Sequence, residues 1–200
     1  MKSEIDNFIG VFDFDIPDYC NDIVKFFDRV HNTNKTMNRQ DMGNTQLDKD
    51  NDVYFFMNES DPILIPETSA MMKTFIDVVT KGYKLYKRKY GALDSLGIHK
   101  MNPDIKIQKT IPGQGYHMWH CEASEYKSAR RLLLCMLYLN DVEEGGETGF
   151  LIKEDNEYIK VKPKTGRLII HPASWPFIHK GFKPESSDKY ILTTWLCWNQ

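Results

Sequence analysis

The sequence predicts an antiparallel β-sandwich or barrel with helices packed outside one of its sheets. Two observations support this fold class. Apolar residues recur at helical spacing in the first half of the chain, and short β-rich runs separated by Gly- and Pro-containing turns fill the second half. Helices followed by many short strands indicate the α+β class, here mainly β. We predict one domain over 1–200, in which 1–100 supplies helical support and a lid loop and 101–200 forms the barrel core with the functional site.

The composition is that of an ordinary globular protein. Hydrophobic residues make up 41 % and charged residues 27 %, and the formal net charge is −2. A polyanion-binding surface needs excess Lys and Arg, so we expect no nucleic-acid partner. No apolar run approaches the ~18–20 residues of a membrane span, and MKSEIDNFIGVF has acidic residues where a signal peptide has its apolar segment. We therefore expect a cytoplasmic protein without a membrane partner.

Cysteine usage gives no sign of a disulfide framework or of a thiolate metal site. The four cysteines are scattered and form no CxxC pair; they are Cys20, Cys121, Cys135 and Cys197. We expect them to be reduced thiols.

A strand-like run and a helix are predicted near the start of the chain. The run VFDFD (11–15) has strand character, and Pro17 followed by Asp18 is a typical helix start. Apolar residues then recur at i, i+3, i+4 and i+7, which predicts one buried face made of Ile23, Phe26, Phe27 and Val30.

A long loop and a second helix complete the first half. Residues 31–52, which include Arg39 and Asp41, are polar and lack periodicity. They indicate either a lid that closes over a substrate or a plain surface loop. The second helix is predicted over Ser69–Tyr90. Its basic run KGYKLYKRKYG (81–91) has tyrosines at helical spacing, so we interpret it as a helix with a solvated basic face.

The second half of the chain predicts a succession of short strands. The turns between them contain PGQG, EEGGETG, PKTG and PASWP. The β-rich runs are IKIQKTI (105–111), RLLLCMLYLND (131–141), YIKVKP (158–163), GRLIIHP (166–172) and KYILTTWLCW (189–198).

The segment YHMWHCEASEY (116–126) concentrates potential metal ligands. If it ends a strand, the period of two puts Tyr116, Met118, His120 and Glu122 on one face and His117, Trp119 and Cys121 on the other. A neutral imidazole and a carboxylate on one face can clamp a divalent metal. A His-x-Glu pair also arises by chance, and a surface His beside a surface Glu is the alternative.

A downstream pattern strengthens the metal hypothesis. After roughly 50–60 residues of predicted strands comes His179, and Lys189 follows ten residues later at the start of an apolar strand. Two histidines and one carboxylate form the facial triad typical of non-haem Fe(II) oxygenases. A cation deeper in the same barrel can pair with the far carboxylate of a dicarboxylate cosubstrate.

These residues resemble the Fe(II)/2-oxoglutarate dioxygenases, specifically the prolyl 4-hydroxylase-like branch. The resemblance covers about 105–198, and its further motifs are LYLND (137–141), GGETGF (145–150), VKPKTGRLIIH (161–171) and HKG (179–181). It implies an α+β, mainly β fold whose core is a double-stranded β-helix, or jelly roll, with the N-terminal helices packed on one sheet.

The same resemblance implies the site and its ligands. Fe(II), the cosubstrate 2-oxoglutarate and O2 are expected, with ascorbate as an optional reductant. The implied metal ligands and catalytic residues are His120, Glu122 and His179. The implied cosubstrate-binding residues are Lys189, which would pair with the C5 carboxylate, and the hydroxyl residues Tyr138 and Thr148.

Two positions depart from the family pattern. Most relatives have Asp where this chain has Glu122, which is one methylene longer and alters the geometry of ligation. Relatives often carry a Tyr about ten residues before the first His, where this chain has Thr110, which is too short for the same contact. Tyr138 is expected to take over that hydrogen bond.

Four other residues could have either a functional or a purely structural role. We expect His117 to pack or hydrogen-bond on the opposite strand face, and His171 to pack in the core or at a strand end. Arg131 would either reach the site rim or form a surface salt bridge. Trp195 would either wall the cosubstrate pocket or belong to the general core.

The resemblance favours hydroxylation of a C–H bond in a peptidyl proline, with succinate and CO2 as co-products. The expected partner is therefore a peptide or protein substrate that contains proline. Two alternatives stay open. One is an oxygenase that acts on a free amino acid or another small molecule, and the other is a non-catalytic barrel module.

Overall fold

Two α-helices, two short 3₁₀ helices (Gly91–Asp94 and Tyr126–Ser128) and thirteen strands are present in the parts of the chain that a computed structural model describes, which are 2–33, 35–38, 53–56, 65–97, 99–151 and 158–199. The predicted lid loop over 31–52, with Arg39 and Asp41, falls for the most part outside these residues. The α-helices are α1 (Pro17–Asn32) and α2 (Ile65–Lys89). The strands are β1 (Lys2–Asp6), β2 (Ile9–Asp13), β3 (Met37–Asn38), β4 (Val53–Phe56), β5 (His99–Met101), β6 (Lys106–Thr110), β7 (Tyr116–His120), β8 (Arg131–Tyr138), β9 (Thr148–Leu151), β10 (Tyr158–Val161), β11 (Arg167–Pro172), β12 (His179–Gly181) and β13 (Lys189–Trp198).

The strands form two antiparallel sheets. Among the described residues, the large sheet has the order β1-β2-β11-β8-β13-β6-β4-β3, with β5 paired to β13, and the small sheet has the order β10-β9-β12-β7. Apolar side chains from both sheets form a shared cluster between them, including Met136 of β8, Phe150 of β9 and Ile191 of β13. This is the jelly-roll arrangement of the predicted α+β, mainly β fold class, which is confirmed.

The helices cover the other face of the large sheet. Phe26 and Phe27 of α1 and Phe75 and Tyr86 of α2 are buried in one cluster with alternate residues of β8, such as Leu137. The predicted apolar face of α1 is thus confirmed. Burial of an aromatic or aliphatic side chain of this size contributes roughly 1.5–3 kcal/mol, so this layer anchors the sheet that carries Tyr138 and Lys189.

Helix α2 begins earlier than its apolar periodicity predicts. The predicted start was Ser69, whereas the helix starts at Ile65, with Pro66 in its first turn, where a missing N–H costs nothing. A Cβ at Gly82 would come within 2.6 Å of Leu168, so glycine allows α2 to lie close against β11. Neither helix of the described chain is both long and apolar enough to cross a membrane.

Alternation along the central strands assigns each side chain to one layer. On β8, Leu133, Cys135 and Leu137 face the helices, so Met136 and Tyr138 face the small sheet. On β13, Ile191 shares that inner face, which places Lys189, two residues earlier, on the same face. The functional candidates of these strands therefore point into the space between the sheets.

Candidate active site

Strand pairing brings the two candidate histidines together. His120 ends β7, His179 begins β12, and the two are direct cross-strand partners. Glu122 follows β7 by two residues. Its backbone N–H and that of Ala123 both donate to the Ala173 carbonyl, at 2.8 and 2.9 Å, which fixes this segment against the end of β11.

The three side chains have the spacing of metal donors. Oε1 of Glu122 lies 3.4 Å from Nε2 of His120 and 3.5 Å from Nε2 of His179. Ligand bonds of about 2.1 Å at 90–110° put donor atoms about 3.0–3.4 Å apart, whereas a charge-assisted hydrogen bond would be about 2.7–2.9 Å long. His120, Glu122 and His179 therefore fit a divalent metal ion, and all three potential donor atoms lie within 4.8 Å of one another.

Hydrogen bonds to the carboxylate of Glu122 leave one oxygen directed at the histidines. Trp195 donates its indole N–H to Oε2 at 3.0 Å, and Arg131 donates to the same oxygen at 3.3 Å. Arg131 also donates to the Glu122 carbonyl at 3.1 Å, and its guanidinium lies 3.9 Å from the centre of the Trp195 ring. Arg131 and Trp195 thus both contact the site, a role for which the sequence alone left a structural alternative open.

The electrostatic environment keeps Glu122 ionised. Burial alone would raise the pKa of this carboxyl, but the adjacent imidazoles of His120 and His179 favour its ionised form and outweigh burial. The pKa of Glu122 therefore lies well below its usual range. An ionised carboxylate is the form that ligates a metal.

The outer nitrogens of the two histidines differ in their contacts. Nδ1 of His120 lies 3.1 Å from the Met118 carbonyl, to which it can donate, and in that tautomer Nε2, which faces Glu122, carries the lone pair that can bind a metal. Nδ1 of His179 is buried and has no hydrogen-bond partner among the described residues.

His171 lies directly beside His179. It is fully buried, as the predicted core packing requires, and its ring centre is 4.6 Å from that of His179 and 4.8 Å from that of Phe150. Its Nδ1 lies 2.8 Å from the Pro172 carbonyl. Burial and the proximity of His179 lower the pKa of His171 to about 3, so this imidazole is neutral at physiological pH.

Lys189 is a buried cation in the space between the two sheets, at the end away from the three candidate metal ligands. Only 5 % of the residue is exposed, and its ammonium donates a hydrogen bond to the Gly146 carbonyl at 2.8 Å. Gly146 has φ +75°, which favours glycine. Thr110 is buried and is the cross-strand partner of Lys189, so this departure from the family pattern lies beside the cation.

Tyr138 and Thr148 act as one hydrogen-bonded unit next to Lys189. Their hydroxyl oxygens are 2.6 Å apart, and Tyr138 also donates to the Val161 carbonyl at 3.2 Å. The ammonium of Lys189 is 5.9 Å from the centre of the Tyr138 ring. Thr148 and Phe150 are alternate residues of β9, about 6.8 Å apart along the strand. The ring centre of Phe150 is 6.0 Å from that of His179. Strand β9 therefore runs between the Lys189 end and the histidine end of the space between the sheets.

The side chain of His117 lies outside the described part of the structure, so its predicted packing role stays a prediction. The remaining candidates define a class. A jelly roll that places two imidazoles and one carboxylate at metal-donor spacing, with a buried ammonium deeper in the same space, has the site of a mononuclear non-haem Fe(II) oxygenase.

Sequence comparison points to one family within this class. Residues 105–197 match the profile of the 2OG-Fe(II) oxygenase superfamily. Its cofactor is Fe(II), and its cosubstrates are 2-oxoglutarate and O2, as the sequence motifs predicted. A comparison with curated proteins gave no match.

Solved prolyl hydroxylases share the fold over nearly the whole chain. A prolyl-4-hydroxylase from Pseudomonas putida is 13 % identical with a TM-score of 0.70, and the alignment covers 96 % of this chain and 94 % of that one. A prolyl hydroxylase from Trichoplax adhaerens, in complex with a hypoxia inducible factor peptide fragment, is 15 % identical with a TM-score of 0.68 and coverage of 96 % and 84 %. The viral collagen prolyl hydroxylase from Paramecium bursaria Chlorella virus-1, a 2OG complex, is 18 % identical with a TM-score of 0.56 and coverage of 95 % and 96 %. The predicted resemblance to the prolyl 4-hydroxylase-like branch is therefore confirmed at the level of the fold.

Proposed function

We propose that this protein hydroxylates a proline residue in a peptide or protein substrate, using Fe(II), 2-oxoglutarate and O2. The observation that carries the proposal is the convergence of His120, Glu122 and His179 at metal-donor spacing in a chain that matches the profile of the 2OG-Fe(II) oxygenase superfamily. When bound, Fe(II) supplies the O2-dependent chemistry that converts 2-oxoglutarate to succinate and CO2 and hydroxylates a C–H bond.

The proposed metal ligands are held in their working orientation by neighbouring groups. Trp195 and Arg131 occupy Oε2 of Glu122, so that Oε1 is directed to the metal position. The Met118 carbonyl holds His120 in the tautomer whose Nε2 can bind a metal. The chain's contribution here is to fix the direction of the Glu122 carboxylate and the tautomer of the His120 imidazole.

Lys189 is the proposed partner of the C5 carboxylate of 2-oxoglutarate. Desolvation of a lone carboxylate costs several kcal/mol, and a buried ammonium offsets that cost. The Tyr138–Thr148 pair lies against the same ammonium, and Tyr138 would turn its hydroxyl donation from the Val161 carbonyl to this carboxylate. The cosubstrate would then extend from Lys189 toward the metal ligands along the inner face of β9.

Exposed apolar side chains that lie close in sequence to residues of the site are suited to pack against an extended peptide. Met118, on the same strand face as His120, is 46 % exposed. Trp175, two residues after the Ala173 that holds Glu122, is 78 % exposed, and Tyr126 is 96 % exposed. Aromatic rings are good packing partners for a proline ring and bury apolar area on peptide binding. The solved relative from Trichoplax adhaerens, which holds a peptide, supports the same substrate class.

Incubation with a proline-containing peptide library tests the proposal. Purified protein, Fe(II), 2-oxoglutarate and ascorbate should give succinate and peptides heavier by one oxygen atom, located at proline by tandem mass spectrometry. Glu122→Ala should give neither product. Hydroxylation confined to non-proline residues, or to free amino acids offered in parallel, would contradict the proline assignment and favour a small-molecule or other substrate.

A further inference from the structure

The two candidate metal-binding histidines are unequally supported, and this asymmetry has a structural origin. A neutral imidazole that binds a metal through Nε2 carries its proton on Nδ1, and that N–H normally donates to a carbonyl, a carboxylate or a water. For His120 the Met118 carbonyl is 3.1 Å away. For His179 no acceptor lies within hydrogen-bond distance of Nδ1 among the described residues, although the atom is buried.

A matching acceptor is present on the neighbouring ring. Nδ1 of His171 lies 2.8 Å from the Pro172 carbonyl, which can only accept, so the proton of His171 is on Nδ1 and its Nε2 has a free lone pair. This Nε2 is also buried and without a partner in the described chain. Four buried side-chain nitrogen or oxygen atoms of the described chain have no hydrogen-bond partner. Two of them are the Nδ1–H donor of His179 and the Nε2 acceptor of His171, whose rings are neighbours in space.

The geometry of the two rings allows these atoms to meet. The ring centres are 4.6 Å apart and the planes are at 67°, so one ring presents its edge to the other. The χ2 torsion of histidine has a broad energy minimum. Rings whose centres are 4.6 Å apart are close enough for two of their nitrogens to reach the usual hydrogen-bond distance of about 2.9–3.0 Å when a ring turns about χ2.

We propose that His171 is a positioning residue that accepts a hydrogen bond from Nδ1–H of His179 and thereby directs Nε2 of His179 at the metal. The inference rests on the proposed role of His179 as a metal ligand. The proposed hydrogen bond, together with the one from His171 to the Pro172 carbonyl, would link that carbonyl through both imidazoles to the metal position. A role in packing alone would fill the same volume without needing a nitrogen at Nε2 of His171.

Nuclear magnetic resonance on the unmutated protein tests the hydrogen bond directly. The protein is labelled with ¹⁵N-histidine and loaded with Zn²⁺, which is diamagnetic. We expect His171 to be protonated at Nδ1 only, His179 to be protonated at Nδ1, and a scalar coupling to cross the hydrogen bond between His179 Nδ1 and His171 Nε2. Protonation of His171 at Nε2, or a solvent-exchanging His179 N–H without the coupling, would overturn the proposal.

Metal affinity provides the second test, measured by calorimetry with Co²⁺ and without turnover. His171→Phe keeps an aromatic ring but removes the acceptor, and loss of such an outer partner typically weakens metal binding about 10–100-fold. His171→Gln restores an acceptor and should bind Co²⁺ more tightly than His171→Phe. His99→Phe, which alters a half-buried histidine on β5 whose Nε2 is also buried without a partner among the described residues, should match the unmutated protein.

The outcomes separate this inference from the proposed function. Unchanged Co²⁺ affinity in His171→Phe, together with loss of binding in His179→Ala, would overturn the role of His171 and leave the metal site intact. Unchanged affinity in His179→Ala would overturn both, because His179 would not be a ligand.

Discussion

Replacement of Lys189 by methionine removes one buried charge and keeps a flexible side chain of similar reach. The lysine is 5 % exposed, and its ammonium is hydrogen-bonded to the Gly146 carbonyl and lies 5.9 Å from the centre of the Tyr138 ring. The apolar thioether fits the same buried position without introducing an unpaired charge. We expect Lys189→Met to fold, to bind Fe(II) normally and to need far more 2-oxoglutarate.

The magnitude follows from the burial of the proposed ion pair. Removal of one partner from a buried, hydrogen-bonded ion pair costs about 3–5 kcal/mol. At 1.4 kcal/mol per factor of ten, this corresponds to a loss of roughly 10²–10³·⁵ in affinity. Water that enters beside the unpaired C5 carboxylate reduces the loss, so a rise of about 100-fold in the 2-oxoglutarate requirement, at the lower end of this range, is expected.

The assay is succinate formation as a function of 2-oxoglutarate concentration, with anaerobic Fe(II) binding measured in parallel. Lys180→Met is a matched control, because Lys180 lies over the Trp119 and Phe182 rings, away from the inner face of the large sheet. An unchanged 2-oxoglutarate requirement in Lys189→Met would refute the role of the cation. Equal loss of Fe(II) binding would show instead that the substitution damages the metal site.

Three further predictions concern the carboxylates of the chain. Glu122→Ala should lose Fe(II) binding in equilibrium dialysis, whereas Glu122→Asp should keep weaker binding; normal affinity in the Ala variant would remove Glu122 from the ligand set. Trp195→Phe deletes the 3.0 Å donation to Oε2 and should lower Fe(II) affinity about 10–100-fold, and an unchanged dissociation constant would contradict that role. Arg167 holds the pKa of Asp13 at about 2, compared with an ordinary 3.8, and Lys164 adds to this effect. Their interaction with Asp13 stabilises the folded chain above about pH 4, and this stabilisation is lost as the pH falls toward 2. Urea unfolding should show Asp13→Asn about 2 kcal/mol less stable at pH 6 and a smaller difference at pH 3; a pH-independent difference would count against this account.

The convergence of the candidate ligands could be predicted because its causes are local. Strand alternation predicted that His120 and Glu122 share one face, although β7 ends at His120 and the Ala173 carbonyl holds the segment with Glu122. The spacing to His179 and Lys189 matches a known family pattern. The structure brings the three proposed ligands together and buries the lysine. Their roles as ligands of iron and cosubstrate stay predictions, because those roles depend on bound groups.

The hydrogen bonds around Glu122 could not be predicted because their causes are tertiary. Arg131 and Trp195 are far apart in sequence, and both became partners of this carboxylate only through the pairing of β8 with β13. The same limit applies to His171, whose position beside His179 depends on how the two sheets face each other.

The fold class followed from the order of helices and strands, but some elements did not. All five predicted β-rich runs contain strands, whereas the Gly-rich run treated as a turn leads directly into β9 (Thr148–Leu151), which pairs with β12 on one side and β10 on the other. The strand predicted at 11–15 is instead Ile9–Asp13, the second strand of a hairpin whose turn includes Asn7 and Phe8 at positive φ. Neither residue is glycine, so the usual sequence signal for such a turn was missing.

The proposed site is tested most directly by anaerobic addition of Fe(II) and 2-oxoglutarate to the purified protein, followed by visible absorption spectroscopy. We expect a weak metal-to-ligand charge-transfer band that requires both additions and is lost in Glu122→Ala and His179→Ala. If the unmutated protein gave no band, or if the band persisted in both variants, the assignment of His120, Glu122 and His179 as the iron site would be wrong.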